Sequence, residues 1–414
     1  MPILGAVRKS GPRVTLGACV AAAVVQGTMA QSRTGAFDAD LAFLQQHTKV
    51  IVLADAAGTA KVVVAPEYQG RVMTSTTGGP NAPSFGWIGR DAIASGKRQP
   101  HMNVFGGEDR FWLGPEGGQF ALYFKKGGAF DLDHWQVPEA FDWGGWEIVK
   151  QSLTSAQFHK QMELTNYAGA SFDIAVERTV KTISPKEAAA SLGVTPGSSI
   201  RMVAFESSNT VKNAGRRPWD LKTGAVSIWI LGQLIPSPDT TIVLPIAAGT
   251  ASTLGSPVKD DYFGKVPADR LRVKDDVVFF RGDGQYRSKI GVPPRRALAL
   301  AGSYDAAHRV LTIVTFTRPP DAREYVNSMW EMQREPYGGD VINSYNDGPP
   351  APGKPPLGPF YELETSSPAL VLEPGQSYTH VHRTFHFTGS EPELDAIARA
   401  VLKVGLADVK AAFR

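Results

Sequence analysis

From about residue 48 to residue 388 the chain is cut into short apolar blocks by Gly, Pro, Asn and Asp, and this punctuation limits the fold more than any other feature. Blocks of strand length separated by turn residues point to a sandwich or barrel of many short strands. The 42 Gly and 30 Pro supply the breaks. Val50-Ile51-Val52-Leu53, a turn at Ala57-Gly58 and Lys61-Val62-Val63-Val64 read as a hairpin, with Arg71-Val72-Met73-Thr74 as a further strand after the turn at Gln69-Gly70. No β-α alternation, GxGxxG before a helix, P-loop or GxSxG elbow occurs, which removes the best support for nucleotide-binding and serine-hydrolase classes. Helical spacing marks the two ends. Ala36 to His47 carries Asp38 and Asp40 in its first turn and Phe37, Leu41, Phe43 and Leu44 on one side. Glu391 to Phe413 follows Ser390 as a cap and places Leu394, Ile397, Val401, Leu402 and Leu406 along one stripe. The expectation is an all-β antiparallel sandwich spanning residues 31–414 as a single domain, with an N-terminal helix within 31–47 and a closing helix within 390–414.

Residues 1–30 read as a signal peptide: a basic start with Arg8, Lys9 and Arg13, an apolar run, and Thr28-Met29-Ala30 as a small-x-small cleavage site near Ala30. The expected location is periplasmic or secreted, with no transmembrane segment in the mature chain. Leu16-Gly17-Ala18-Cys19 looks like a lipoprotein box, but the five uncharged residues between Arg13 and Cys19 are too few for its apolar region. Cleavage after Ala30 removes the single cysteine and with it any thiol chemistry. Those three cations are also the whole excess of positive charge, since the remainder carries 40 basic and 40 acidic groups. A neutral body without basic runs interleaved with aromatics gives no support to nucleic-acid binding.

Four segments carry chemistry. His101 to Phe124, which includes Asn103, sets Glu108, Asp109, Arg110, Trp112 and Glu116 among glycines, the composition of a site where rings stack on sugar faces and charged groups read hydroxyls. A surface Glu–Arg pair beside a turn has the same spacing. Trp135, Trp143 and Trp146 follow close behind, where core packing is their usual role. Asp340, Asn343, Tyr345, Asn346 and Asp347 alternate with small residues in a pattern that suits sugar hydroxyls, a Ca²⁺ ion, or an ordinary turn-rich connection. In the last segment, period-2 geometry puts Glu362 and Glu364 on one strand face, and Tyr378, His380, His382 and His386 on one face of the next strand. Paired carboxylates push one proton affinity upward, as acid/base work requires. His380-x-His382 allows a metal reading of the jelly-roll kind, but no carboxylate follows at the usual place, so hydrogen-bonded histidines are the ordinary reading and no cofactor is expected. The Pro-rich stretch 348–359 reads as a loop over a binding face.

Taken in order, three of these pieces resemble the galactose-mutarotase-like (aldose 1-epimerase-like) superfamily, in a secreted bacterial branch. They are Ala65-Pro66-Glu67-Tyr68-Gln69-Gly70-Arg71-Val72, the segment EDRFWLGPEGGQF from Glu108, and the Leu363-Glu364 pair followed by Leu372-x-Pro374-Gly375-x-Ser377. The resemblance implies an antiparallel β super-sandwich with a carbohydrate cleft, and a general base at Glu364, with Glu362 as the near alternative. It also implies a His shortly after Asn213-Ala-Gly215-Arg-Arg-Pro218 as general acid. The strand that follows, through Trp229 to Gln233, has none. The acid would then come from His134, Glu108 or Glu116.

The functional expectation is a carbohydrate ligand and proton transfer near an anomeric carbon, of epimerase, glycosidase or lyase type. Glu364, Glu362, Glu108 and Glu116 are the catalytic candidates. Arg110, Asp109, Trp112, Asn103, Trp135, Trp229, Lys289, Asn343, Asn346 and Asp347 are the binding candidates. A non-catalytic sugar-binding protein is the alternative, and a metal-dependent jelly roll using His380 and His382 the third reading.

Overall fold

Alternating burial along the long strands builds the outer layer of the fold. In Ser171–Thr182 the residues Phe172, Ile174, Val176 and Val180 are buried while Ser171, Asp173 and Glu177 are exposed, as in an antiparallel sheet with one wet face. This strand belongs to a ten-stranded sheet that runs from Leu271–Lys274 at one edge to Glu147–Gln151 at the other, with Ser377–Thr388 between Val310–Phe316 and Arg201–Asn213. A five-stranded sheet has the order Ser288–Val292, Ile342–Asn346, Tyr361–Ser366, Ser227–Leu234, Arg110–Gly114, every pair antiparallel. All of its residues are buried, so both of its faces are covered. Ile51–Ala54, Lys61–Ala65 and Arg71–Thr76 form a third sheet of three strands. These descriptions come from a computed structural model that describes residues 36–79 and 82–414; the expected signal segment, with Cys19, lies outside the described residues.

The mostly antiparallel sandwich expected from the turn punctuation is what the chain forms. One face of the five-stranded sheet packs toward the ten-stranded sheet. Ile290, Val292, Ile342 and Leu363 meet Ile242, Val278, Phe280 and Val314 in one cluster, and Phe111, Ile228 and Ile230 join Phe158, Val176 and Phe205 in another. Each such side chain removed from water contributes about 1.5–3 kcal/mol before the entropy of ordering is counted. The expected turn at Gln69-Gly70 is tied into this core: Gly70 has φ 60°, and the Phe158 ring lies 2.6 Å from where a Cβ would stand. A side chain there would have to displace a buried ring.

Helices cover the part of the ten-stranded sheet's outer face formed by Val310–Phe316 and Ser377–Thr388. The tail expected as one helix is two, Glu391–Val401 and Leu406–Ala411. Leu402 caps the first, Lys403 takes φ 60°, and Gly405 starts the second. Leu394, Ile397, Leu402 and Val409 pack on Leu311, Ile313, Phe385 and Phe387. Ser390 stands at the N-cap position but makes no side-chain cap bond; its hydroxyl accepts from Ser199 Oγ instead. The N-terminal helix, Phe37–His47, sets Phe37 and Leu44 against Val63, Ala65 and Met73 of the three-stranded sheet.

Candidate functional site

Register decides what the second face of the five-stranded sheet presents. Lys289, Tyr345, Glu362 and Gln233 stand in one row across four strands, and Asn343, Glu364, Leu231 and Arg110 in the next. Trp229 and Trp112 lie opposite each other in a third row. With a side-chain period of 2, all of these point away from the sandwich interior. Above them is a cavity of about 730 Å³, lined by Arg110, Trp112, Trp229, Gln233, Lys289, Tyr345 and Glu362 from the sheet, and by Trp87, Glu116, Trp135, Arg287 and Trp330 from the connections. That is a volume suited to a small ligand. Leu357 from the Pro-rich stretch also lines it, so that loop does border the cleft.

Two buried ion pairs form the floor. Arg110 Nη2 donates to Glu362 Oε1 at 3.0 Å, and Lys289 Nζ donates to Glu364 Oε2 at 3.0 Å. Trp229 Nε1 donates to the same Glu364 oxygen at 2.9 Å. Glu364 is fully buried, and both of its donors line the cavity while it does not; Glu362 lines the cavity itself. Arg110 lies over the Trp112 ring at 4.0 Å and Lys289 over Trp229 at 4.7 Å. Glu116 accepts from Trp135 Nε1 at 3.0 Å, and Trp135 stacks with Trp330 at 5.9 Å between centroids. Asn343 donates to Tyr262 Oη at 3.1 Å, and Tyr262 in turn donates to Asp340.

This environment holds protons. Burial pushes the Glu362 carboxyl up to about 8, with the neighbouring Glu364 charge adding to the effect and Arg110 and Lys289 opposing it. Burial likewise raises Glu116, against the pull of Lys289. Burial disfavours charge on Lys289, but Glu364, Glu116 and Glu362 together outweigh it and hold the ammonium above its ordinary value. The floor thus carries one carboxyl, Glu362, raised to about 8 beside a cation that stays charged, a constellation able to give and take a proton.

Several expected site residues lie elsewhere. Glu108 and Asp109 do not grip a ligand with Arg110. Glu108 Oε2 is 2.9 Å from His386 Nε2 and accepts from Ser75, while Asp109 is paired with Arg178 at 2.5 Å and with Ser207 at 2.7 Å, all inside the sandwich. Asn103 is buried and spends its backbone N–H and its amide on Asp142. Asn346, on the opposite sheet face, donates to Asp283 and to the carbonyl of Tyr286. Asp347 is buried and accepts from Tyr345 Oη at 2.7 Å and Gly358 N at 2.8 Å. Asp340 and Asp347 therefore serve different partners and do not converge on one cation. His134 is exposed and paired with Asp131. His380 Nε2 and His382 Nδ1 each lie 2.9 Å from Thr365 Oγ1, and burial lowers their values to about 3 and about 4. They are neutral core histidines, and no group of three or more His, Cys, Asp or Glu that could hold a metal occurs among the described residues. Tyr345 belongs to the segment whose pattern suits sugar hydroxyls, whereas nothing in the sequence analysis marks Gln233, Trp87, Arg287 and Trp330 as ligand contacts. For Gln233 the signal was there, two steps of period 2 beyond Trp229.

A family model described as "Family of unknown function (DUF6786)" matches residues 35–413. No curated protein matches the sequence. Among solved structures, a putative aldose 1-epimerase from Escherichia coli K12 is similar with a TM-score of 0.49 and 13% identity, over 83% of this chain and 99% of that one. A galactose mutarotase-like protein from Lactobacillus casei ATCC 334 gives 0.47 and 11%, over 82% and 100%. The Slr1438 protein from Synechocystis sp. PCC 6803 gives 0.48 and 12%, over 83% and 96%.

Proposed function

Because the chain belongs to a family of unknown function, its activity has to be read from the cleft, and we propose that it binds a carbohydrate there and transfers a proton at or near the anomeric carbon. The observation that carries this reading is Glu362: a cavity-lining carboxyl, 3.0 Å from Arg110, whose proton is retained to about pH 8. Glu362 exchanges the proton with the anomeric or glycosidic oxygen, and Glu116 is the second carboxyl within the cleft. Arg110 and Lys289 hold hydroxyls, while Trp112, Trp135 and Trp229 wall the space that the sugar ring occupies. Glu364 keeps Lys289 charged and oriented from beneath, so the proton-transfer role that the sequence resemblance implies for Glu364 passes in this reading to Glu362, which starts protonated and acts first as the acid. The reading assigns no metal, and it keeps the basic and apolar residues 1–30 as an export signal for a periplasmic or secreted protein.

The test is Glu362→Gln. Sugar titration followed by tryptophan fluorescence, with anomer exchange and glycoside cleavage assayed in parallel, should show affinity retained and turnover lost. Turnover equal to that of the unchanged protein would remove Glu362 from the chemistry. A sugar-binding protein without turnover is the second reading, favoured by the ion pairs that already engage both Glu362 and Glu364. It predicts binding in both proteins and turnover in neither.

A further inference from the structure

We infer that the sugar this cleft accepts is anionic, with its charged group held by Arg287; this rests on the carbohydrate reading above. The other cations lining the cavity are already matched. Arg90 pairs with Asp40, Arg110 with Glu362 and Lys289 with Glu364. Arg287 lines the same cavity and, among the described residues, has no ion pair and no side-chain hydrogen bond. Its guanidinium is nevertheless held in place, 3.7 Å over the Phe263 ring, which in turn meets Tyr345 edge-on at 6.0 Å. The carboxylate that feels its charge, Asp347, is buried with its oxygens taken by Tyr345 Oη and Gly358 N.

Position supports the same conclusion. Arg287 immediately precedes the edge strand Ser288–Val292 and stands two residues before Lys289; both line the cavity, and two residues of extended chain span about 7 Å. That is about the width of one sugar ring: a ring whose hydroxyl meets Lys289 brings a substituent to Arg287. A planar guanidinium, stacked on one face and with free N–H edges, fits a carboxylate or sulfate in fork geometry. A neutral sugar leaves it without a partner.

The experiment compares the full chain with Arg287→Gln and Arg287→Lys. The probes are glucose and galactose, their uronates, their 6-sulfates and their 6-phosphates, titrated by tryptophan fluorescence at low and high salt. At least one charged sugar should bind about tenfold or more tightly than its neutral parent. Arg287→Gln should abolish that preference, Arg287→Lys should retain part of it, and salt should weaken it. The rank of carboxylate, sulfate and phosphate identifies the anion. Equal affinity for charged and neutral sugars, or a preference that survives Arg287→Gln, would overturn the inference while leaving the carbohydrate reading intact. No binding of any sugar would overturn both, and unchanged melting of Arg287→Gln separates loss of recognition from loss of fold.

Discussion

Residues 108 to 110 lead into two buried clusters of charge that differ in how completely they are closed. Glu108 and Asp109 enter the sandwich interior, where Asp109 is met by Arg178 and Ser207, Arg178 by Asn209, and His386 by Glu108 and Thr312. Arg110, the next residue, turns to the cleft. There Arg110 Nε, Trp112 Nε1 and Gln233 Oε1, all on residues that line the cavity, lack a partner among the described residues, against a single such oxygen, Glu108 Oε1, in the interior cluster. An interior network whose members answer one another holds sheets in place; a floor with polar atoms left over is built to meet something else. The difference teaches that burial and charge alone do not mark a site. What marks it is unspent hydrogen-bonding capacity facing a cavity.

Four substitutions would break or sharpen this contrast. Arg178→Ala strands a fully buried carboxylate, and urea unfolding should report a loss of about 3–5 kcal/mol; a loss below about 1 kcal/mol would show that the interior cluster is not structural. Glu362→Gln should cut turnover by about 100-fold or more while the protein stays folded. It should also alter the pH dependence of stability. Folded Glu362 keeps its proton to about pH 8 while the unfolded chain loses it near 4.3, so the native protein loses stability as pH rises between those values. Melts of the Gln variant across that window should show a shallower decline. Thr365→Val leaves the His380 and His382 rings without their shared hydroxyl and should cost about 1–3 kcal/mol in the same unfolding assay. His134→Ala, on an exposed pair outside the cleft, should change neither melting temperature nor turnover; a fall in turnover would bring a missing acid back to the rim.

The strands were legible because alternation and turn residues are local. The hairpin at Val50–Val64 appears with Ile51 opposite Val64, and Glu362 and Glu364 share a face as their spacing required. Alternation cannot say which face of a doubly buried sheet meets a cavity. That depends on which connections cover it, and it is why Glu108 and Asp109 were read as ligand contacts. Their positions follow from Gly106 and Gly107, both at positive φ, which let residues 106–108 close against Trp87 and Val72 before the strand begins. Arg287 escaped notice because nothing local distinguishes it from a solvated arginine. Its stacking partner, Phe263, comes from a distant loop. The helix Pro185–Leu192 went unread although Ser184-Pro185-Lys186-Glu187 is a capping-box signature, and the structure contains both of its hydrogen bonds.

The central claim is that Glu362 meets the anomeric centre of a sugar. A crystal structure of Glu362→Gln with a sugar that quenches its tryptophan fluorescence tests this most directly. The account predicts the ring among Trp112, Trp135 and Trp229, with its anomeric oxygen about 2.6–3.2 Å from the residue 362 side chain. A sugar bound instead in the groove beside Lys125, Lys126 and Trp143, or one with its anomeric oxygen turned away from residue 362, would contradict it.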